Sequence, residues 1–432
     1  MRIALTLSLV IVLLSSCVEP VDKAYSKLPP GIWRGVLVLD NDPVVFDPDE
    51  EVSIKSDFSG ELPFNFEVKY TDDENFYLEI QNADESIKAS EIIYGRDRAT
   101  AKDTIVIDFP VFDTYIKAIY EDDIMEGDWY VNYRENYSIP FKAYFGQAHR
   151  FTTLKKKPVI NISGRWDVKF EVGTENEYPA IGEFKQDGNH VTGTFMTETG
   201  DYRYLEGTIQ NNKISLSTFD AAHAFLFEAK VLEDGSLIGS FRSGKHYTTT
   251  WTATKNDEAK IGDPFELTTS NIENDDFDFT FDDLDGNATS LSDDRFKDKI
   301  KLVKITGTWC PNCKDESLFL KDYLENNPSE DIEVIEVAFE KYKDENKAKE
   351  VLKRYKEKSN FPFTVLYGGY SSKSVASEKF PQISKVLSYP TLIFVDKENK
   401  IRHIHTGFAG PATSEFPAFE QKFKSLIEEL RT

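Results

Sequence analysis

Over most of the first 255 residues, apolar and polar side chains alternate in short runs such as "WRGVLVLD" (33–40), "FYLEI" (76–80), "DTIVID" (103–108) and "GRWDVKF" (164–170). The turn signals "DGN", "QNNK" and "EDGS" separate such runs. A period of two is that of a strand with one buried face, so Gly31 to about Lys255 is predicted to be antiparallel β throughout. Two stretches match: "IKAIYEDDIMEGDW" (116–129) with "FEAKVLEDGSLIGSF" (227–241), and "GIW" at Gly31 with "GRW" at Gly164. They predict a duplicated meander, each copy of seven or eight strands curled into a small sandwich or barrel, with units at 25–157 and 158–256. Chance likeness between two β-rich stretches is the alternative. The aromatics of this region, Trp33, Trp129 and Trp166 among them, are expected in the core rather than in a ligand site.

Residues 257–274 are polar and acidic and read as a linker; from 275 to 432 the period changes. "IKLVKITG" (300–307) and "IEVIEVAFE" (332–340) read as buried strands, "FPFTVLY" (361–367) as a further strand, and "TLIFVD" with "KIRHIHTG" as a hairpin. Helices are predicted from Cys310 to about Asn326, over 344–359, over 374–386, and at the end, where Phe416, Phe419, Phe423, Leu426, Ile427 and Leu430 recur at helical spacing. Alternating strands and helices with a late antiparallel hairpin give an α/β domain of about 150 residues. The fold class is therefore multidomain, all-β followed by α/β.

Charge narrows the partners. With 51 basic and 75 acidic residues the net charge is −24, which leaves no basic excess to meet nucleic-acid phosphates. The chain opens with Arg2, an apolar run from Ile3 to Leu14, and Leu14-Ser15-Ser16-Cys17. That run is too short to span a bilayer and fits a signal peptide over 1–17, with small residues placed before Cys17 as in a bacterial lipoprotein signal. The expectation is a lipidated Cys17 holding the chain on a membrane outside the cytoplasm; an ordinary signal peptide with an incidental cysteine competes.

The other two cysteines stand in "GTWCPNC" (307–313). At a helix start the first sulfur lies near unpaired amides and the positive end of the dipole, which lowers a thiol from about 8.5. Pro311 suits the first turn. Cys310 would attack a substrate disulfide and Cys313, one turn on, would resolve the mixed disulfide. Zinc usually needs four ligands, and no second C-x-x-C supplies them; a structural disulfide across two residues would constrain the unfolded chain little. No metal and no cofactor beyond the Cys310–Cys313 redox couple is expected. His403 and His405 share a strand face without a third ligand in reach and read as a polar face.

Residues 275–432 resemble the TlpA/ResA group of thioredoxin-like disulfide reductases, bacterial extracytoplasmic proteins often tethered to membranes. The likeness rests on "DLDGNATSLSDDRFKDK", "GTWCPNCKDE", "VAFE", "SYPTLIFVDKENKI" and "TGFAGPAT". It implies a thioredoxin fold, exchange through Cys310 and Cys313, and a substrate groove of Trp309, Pro311, Tyr389 and a cis Pro390. It also implies a proton carrier at Glu340, for which a solvated strand-end glutamate is the competing reading. Many thioredoxins carry a buried acid six residues before the first cysteine; here Lys304 stands there, and pointing inward it would favour a thiolate.

The functional expectation is an anchored disulfide reductase that takes electrons from a membrane donor and passes them to oxidised envelope proteins, apocytochromes among them. The alternatives are an oxidase or isomerase on the same scaffold, and a ligand- or protein-binding lipoprotein whose redox domain is secondary.

Overall fold

The computed structural model describes residues 27–40, 42, 44–47, 52–54, 58, 60–272, 276–329 and 331–431. The expected signal peptide and Cys17 lie outside them.

The first β unit has strands β1 (Gly31–Val38), β2 (Val44–Asp47), β3 (Val52–Ile54), β4 (Glu61–Tyr70), β5 (Phe76–Asn82), β6 (Glu85–Ala89), β7 (Glu91–Arg96), β8 (Asp103–Phe109), β9 (Thr114–Glu121), β10 (Ile124–Val131) and β11 (Ser138–Phe145). Nine of them form one antiparallel sheet in the order β6-β5-β4-β1-β11-β10-β9-β8-β7, and β2 pairs with β3 as a separate hairpin. The second unit has β12 (Gly164–Phe170), β13 (Tyr178–Asp187), β14 (His190–Thr197), β15 (Gly200–Asp201), β16 (Leu205–Gln210), β17 (Lys213–Phe219), β18 (Ala224–Val231), β19 (Leu237–Ser243) and β20 (Tyr247–Lys255). Its order is β13-β12-β20-β19-β18-β17-β16-β14-β15, and an additional β13–β14 pairing closes it into a barrel.

The internal likeness is carried into the wiring. In both units the first strand lies between the next long strand and the last one, β1 between β4 and β11, β12 between β13 and β20. The matching segments form equivalent hairpins: Ile116 faces Trp129 across β9–β10 as Phe227 faces Phe241 across β18–β19. Trp33 and Trp166 are both core residues, and each indole N–H donates to the carbonyl four residues back, on Pro29 and Ile162.

Closure is where the copies differ. The first sheet leaves β6 and β7 unpaired with each other, and its core takes in Phe219, Ala221, Ala222, Ala224 and Leu226 of the second unit. Strand β17 is accordingly buried on both faces. Arg150 sits in this seam, buried, donating to the carbonyls of Gln81 and Ser217 and to Glu206 at 2.9 Å.

The C-terminal domain has strands β21 (Thr280–Asp283), β22 (Ala288–Ser290), β23 (Ile300–Thr306), β24 (Ile332–Glu340), β25 (Thr364–Tyr370), β26 (Thr391–Val395) and β27 (Ile401–Thr406), with helices α1 (Pro311–Asn326), α2 (Glu345–Ser359), α3 (Lys373–Lys379) and α4 (Phe416–Arg431). The sheet order is β22-β21-β25-β24-β23-β26-β27, parallel across β25-β24-β23 and antiparallel at both ends. This is a thioredoxin-like fold. The third helix is shorter than the sequence pattern predicts. It stops at Lys379 because Phe380 precedes Pro381, whose ring disfavours a helical conformation in the residue before it, and Phe380 has left the helical region at φ −122° and ψ 65°.

Residues 257–272 lack regular strands and helices yet are tied down. The Thr406 amide donates to Pro264 and the Asn271 amide to Gln382, and Ser270 bridges Ile383. Of the two histidines expected on a polar face, only His405 departs from it. His403 lies 3.3 Å from Glu429, whereas His405 is buried between Phe265 and Phe419, where burial pushes its pKa down to about 4. No described helix is long and apolar enough to cross a membrane.

Candidate active site

The cysteine pair occupies the turn from β23 into α1. Cys310 is the N-cap, with extended backbone, and Pro311 opens the helix. The Cys310 sulfur accepts from the Cys313 amide at 3.3 Å and lies 3.5 Å from the Tyr389 carbonyl, to which it can donate. Both thiols are free and buried, Cys310 at 6 % exposure and Cys313 at 1 %. The amide contact places the Cys310 sulfur at the N-terminus of α1, where the motif calls for it. At Cys313, burial and the neighbouring Cys310 push the thiol well up, while Lys304 pulls against them. The outer sulfur is thus set up as nucleophile and the inner one held as a thiol.

The groove residues come together around Cys310. The Tyr389–Pro390 peptide is cis, and the Trp309 ring meets Tyr389 edge-on at 5.4 Å. The Trp309 indole donates to the Phe339 carbonyl at 2.9 Å. A side chain at Gly307 would collide with that indole, its Cβ falling 2.3 Å from Nε1.

Beneath Cys313 lies a buried ionic cluster. Lys304 points inward, without solvent exposure, and donates to the Cys313 carbonyl at 2.5 Å, to Ser317, and to Glu336 at 3.2 Å; Glu316 stands 3.9 Å away. Register places Lys304 directly opposite Glu336 on neighbouring parallel strands. Neither oxygen of Glu316 has a hydrogen-bond partner, and burial pushes this carboxyl up to about 8. At neutral pH the cluster therefore holds one lysine cation, which donates to Glu336, and a largely protonated Glu316. Glu316 and Glu336 are not among the site residues that the sequence alone singles out. The available signal was a glutamate inside the otherwise apolar "IEVIEVAF", level with a lysine inside "IKLVKIT".

Glu340, at the end of β24, is buried, and both its oxygens accept from Thr308, from the amide at 3.0 Å and the hydroxyl at 2.8 Å. Its described hydrogen bonds go to the turn before the cysteines rather than to either sulfur. Burial outweighs those two bonds and raises the carboxyl from 4.5 to about 7. A raised carboxyl favours the fold fully below its unfolded value and loses that contribution as pH climbs through the folded one. Glu340→Gln is therefore expected to flatten the loss of stability between pH 4.5 and 7 by up to about 3 kcal/mol, read from urea unfolding across that window.

The second β unit reaches the same place. Ser388, next to Tyr389, donates to the Thr199 carbonyl at 2.7 Å, and the Asn312 amide group donates to the Asp201 carbonyl at 3.1 Å. The Gly410 amide donates to the half-buried Asp201 carboxyl group at 2.6 Å. Gly407 has φ +78°, and a Cβ there would press the Thr199 backbone at 2.6 Å. The turn between β14 and β15 is thus docked on the loops that frame Cys310. Among the described residues no cluster of three His, Cys, Asp or Glu is placed to hold a metal.

Residues 273–404 match the AhpC/TSA family. A thiol-disulfide oxidoreductase from Bacteroides fragilis aligns over 34 % of this chain and 96 % of its own at 18 % identity, with a TM-score of 0.27. A DsbF homologue from Corynebacterium diphtheriae aligns over 38 % and 94 % at 17 % identity, with a TM-score of 0.29. No curated protein matches. Fold, cysteine pair and family match make the C-terminal unit a thioredoxin-like oxidoreductase domain.

Proposed function

We propose that this protein is an extracytoplasmic, lipid-anchored thiol–disulfide reductase of the TlpA/ResA kind. The observation that carries the chemistry is Cys310 as a helix N-cap, its sulfur in contact with the Cys313 amide, above a thiol that burial keeps protonated. The Cys310 thiolate attacks one sulfur of a substrate disulfide; that bond breaks, and the departing sulfur takes a proton. Cys313 then loses its proton and attacks Cys310, forming the Cys310–Cys313 disulfide and releasing the second substrate thiol. Two electrons pass to the substrate, and a membrane dithiol donor returns them. Lys304 offsets the charge that appears on Cys313, and Glu340, which titrates near neutrality, is a proton carrier for that step.

The anchor reading is supported by the apolar run ending in Leu14-Ser15-Ser16-Cys17, and oxidised envelope proteins, apocytochromes among them, are its substrates. The direction of electron flow is tested by the reduction potential of the full chain titrated in a thiol buffer. A reductase is expected near the thioredoxin value of about −270 mV; a value near about −120 mV would make the protein an oxidant and overturn the reading.

A further inference from the structure

A cavity of about 300 Å³ lies where the two β units meet the C-terminal domain. Its wall includes Trp309, the residue before the nucleophile, together with Tyr137, Tyr202 and Tyr247. Two cations line it. Lys341 places its ammonium 3.8 Å from the centre of the Trp309 ring, and the Arg134 guanidinium lies 5.4 Å from that of Tyr137.

Neither cation has an ion-pair partner among the described residues. The acids nearby are already engaged: Asp220 by the His223 amide and Arg203, Glu340 by Thr308. Burial, then Arg134, lowers the Lys341 pKa, so the two like charges sense one another. In a chain of net charge −24 this is a local exception, and two unpaired cations in a half-closed aromatic cavity attract an anion.

The geometry also limits approach from elsewhere. The β14–β15 turn spans Ser388 and Asn312, on the two segments that hold the Cys310 sulfur, and Cys310 keeps only 6 % exposure. A cavity of 300 Å³ is at the small end of ligand sites and admits a few side chains rather than a folded surface.

We propose that this cavity seats the residues flanking the substrate disulfide, and that it selects an extended chain segment carrying carboxylates and aromatic side chains beside its cysteine. The inference rests on the thiol–disulfide reading above and names the substrate class for it.

The test compares two short linear peptides, each with one disulfide, flanked by Glu-Tyr in one and Gln-Tyr in the other. The reduced full chain meets each in a single turnover. A protein of charge −24 repels the acidic peptide at long range, so faster reduction of that peptide reports the local cations. The acidic peptide is expected to react at least about tenfold faster than its Gln counterpart, a preference that raised salt diminishes. Arg134→Gln is expected to bring the two within about twofold of each other; Lys155→Gln, an equal charge change on an exposed residue elsewhere, leaves the preference intact.

Equal rates in the parent protein, or a preference that survives Arg134→Gln, overturns the proposal. If Arg134 matters for oxidised glutathione but not for the peptide, the chain-segment occupant is wrong. If neither peptide is reduced and Cys310→Ser behaves as the parent does, the thiol–disulfide reading itself has failed.

Discussion

Lys304→Met is expected to cost the fold about 3–5 kcal/mol, because it removes the cation that faces two buried carboxyls. Lys304, Glu316 and Glu336 have no solvent exposure, and the remaining Glu336 oxygen already lacks a hydrogen-bond partner. Without the ammonium the two buried carboxyls lose their countercharge. The converse change is milder. With Glu336→Gln, Glu316 is 3.9 Å from Lys304 and can give up its proton to become the counterion, so the loss should be clearly smaller than for Lys304→Met. Lys304→Met/Glu336→Leu, which removes both charges, should recover much of the loss. Urea unfolding of the three variants decides this; equal losses for the two single changes would mean that Glu316 does not share the cation.

Arg203→Leu is the second large effect. Arg203 is buried and is a node of all three units: it pairs with Glu85 of the first, Asp220 of the second and Asp315 on α1. Its Nε lies 3.2 Å from Asp220, close enough for charge attraction but not aligned as a hydrogen bond. Removing it leaves three acids crowded together at the junction, at a cost of about 3–5 kcal/mol, and should let the C-terminal domain separate from the β units. Burial already raises Glu85 and Asp315, so both accept protons readily once the guanidinium is gone. The destabilisation should therefore be greater at pH 8 than at pH 5. Urea unfolding at both values, with limited proteolysis of residues 257–272, tests it; a loss independent of pH would mean that the acids do not carry the effect.

Much of this structure was legible in advance, for identifiable reasons. Strands with one wet face show their period in the residues, so the duplicated meander could be read from "IKAIYEDDIMEGDW" and its partner, and the two sets of residues form equivalent hairpins. The α/β order followed from the change of period after residue 275, and the cysteine pair from its spacing behind Trp309. What stayed hidden depends on contacts between units. Ser215 and Ser217 in "KISLSTF" look like a solvent face but are buried where the barrel closes the first sheet, and Ser217 donates to the Pro63 carbonyl. Asp201 reads as a turn residue, yet it is the anchor of the docked turn, and burial raises its carboxyl to about 6. The Lys304–Glu336 pair needs the register of two strands that lie 32 residues apart in the chain. The early end of α3 was available in Pro381 and was overridden by the apolar pattern around it.

The central claim is that Cys310 attacks and Cys313 resolves. It is tested most directly by mixing the reduced full chain bearing Cys313→Ser with a disulfide substrate and following the covalent product by mass. The account predicts a mixed disulfide at Cys310 that persists, because the resolving thiol is gone, and none at Cys313 in the reciprocal Cys310→Ser protein. An adduct that forms as fast at Cys313 as at Cys310, or no adduct with either variant, would contradict it.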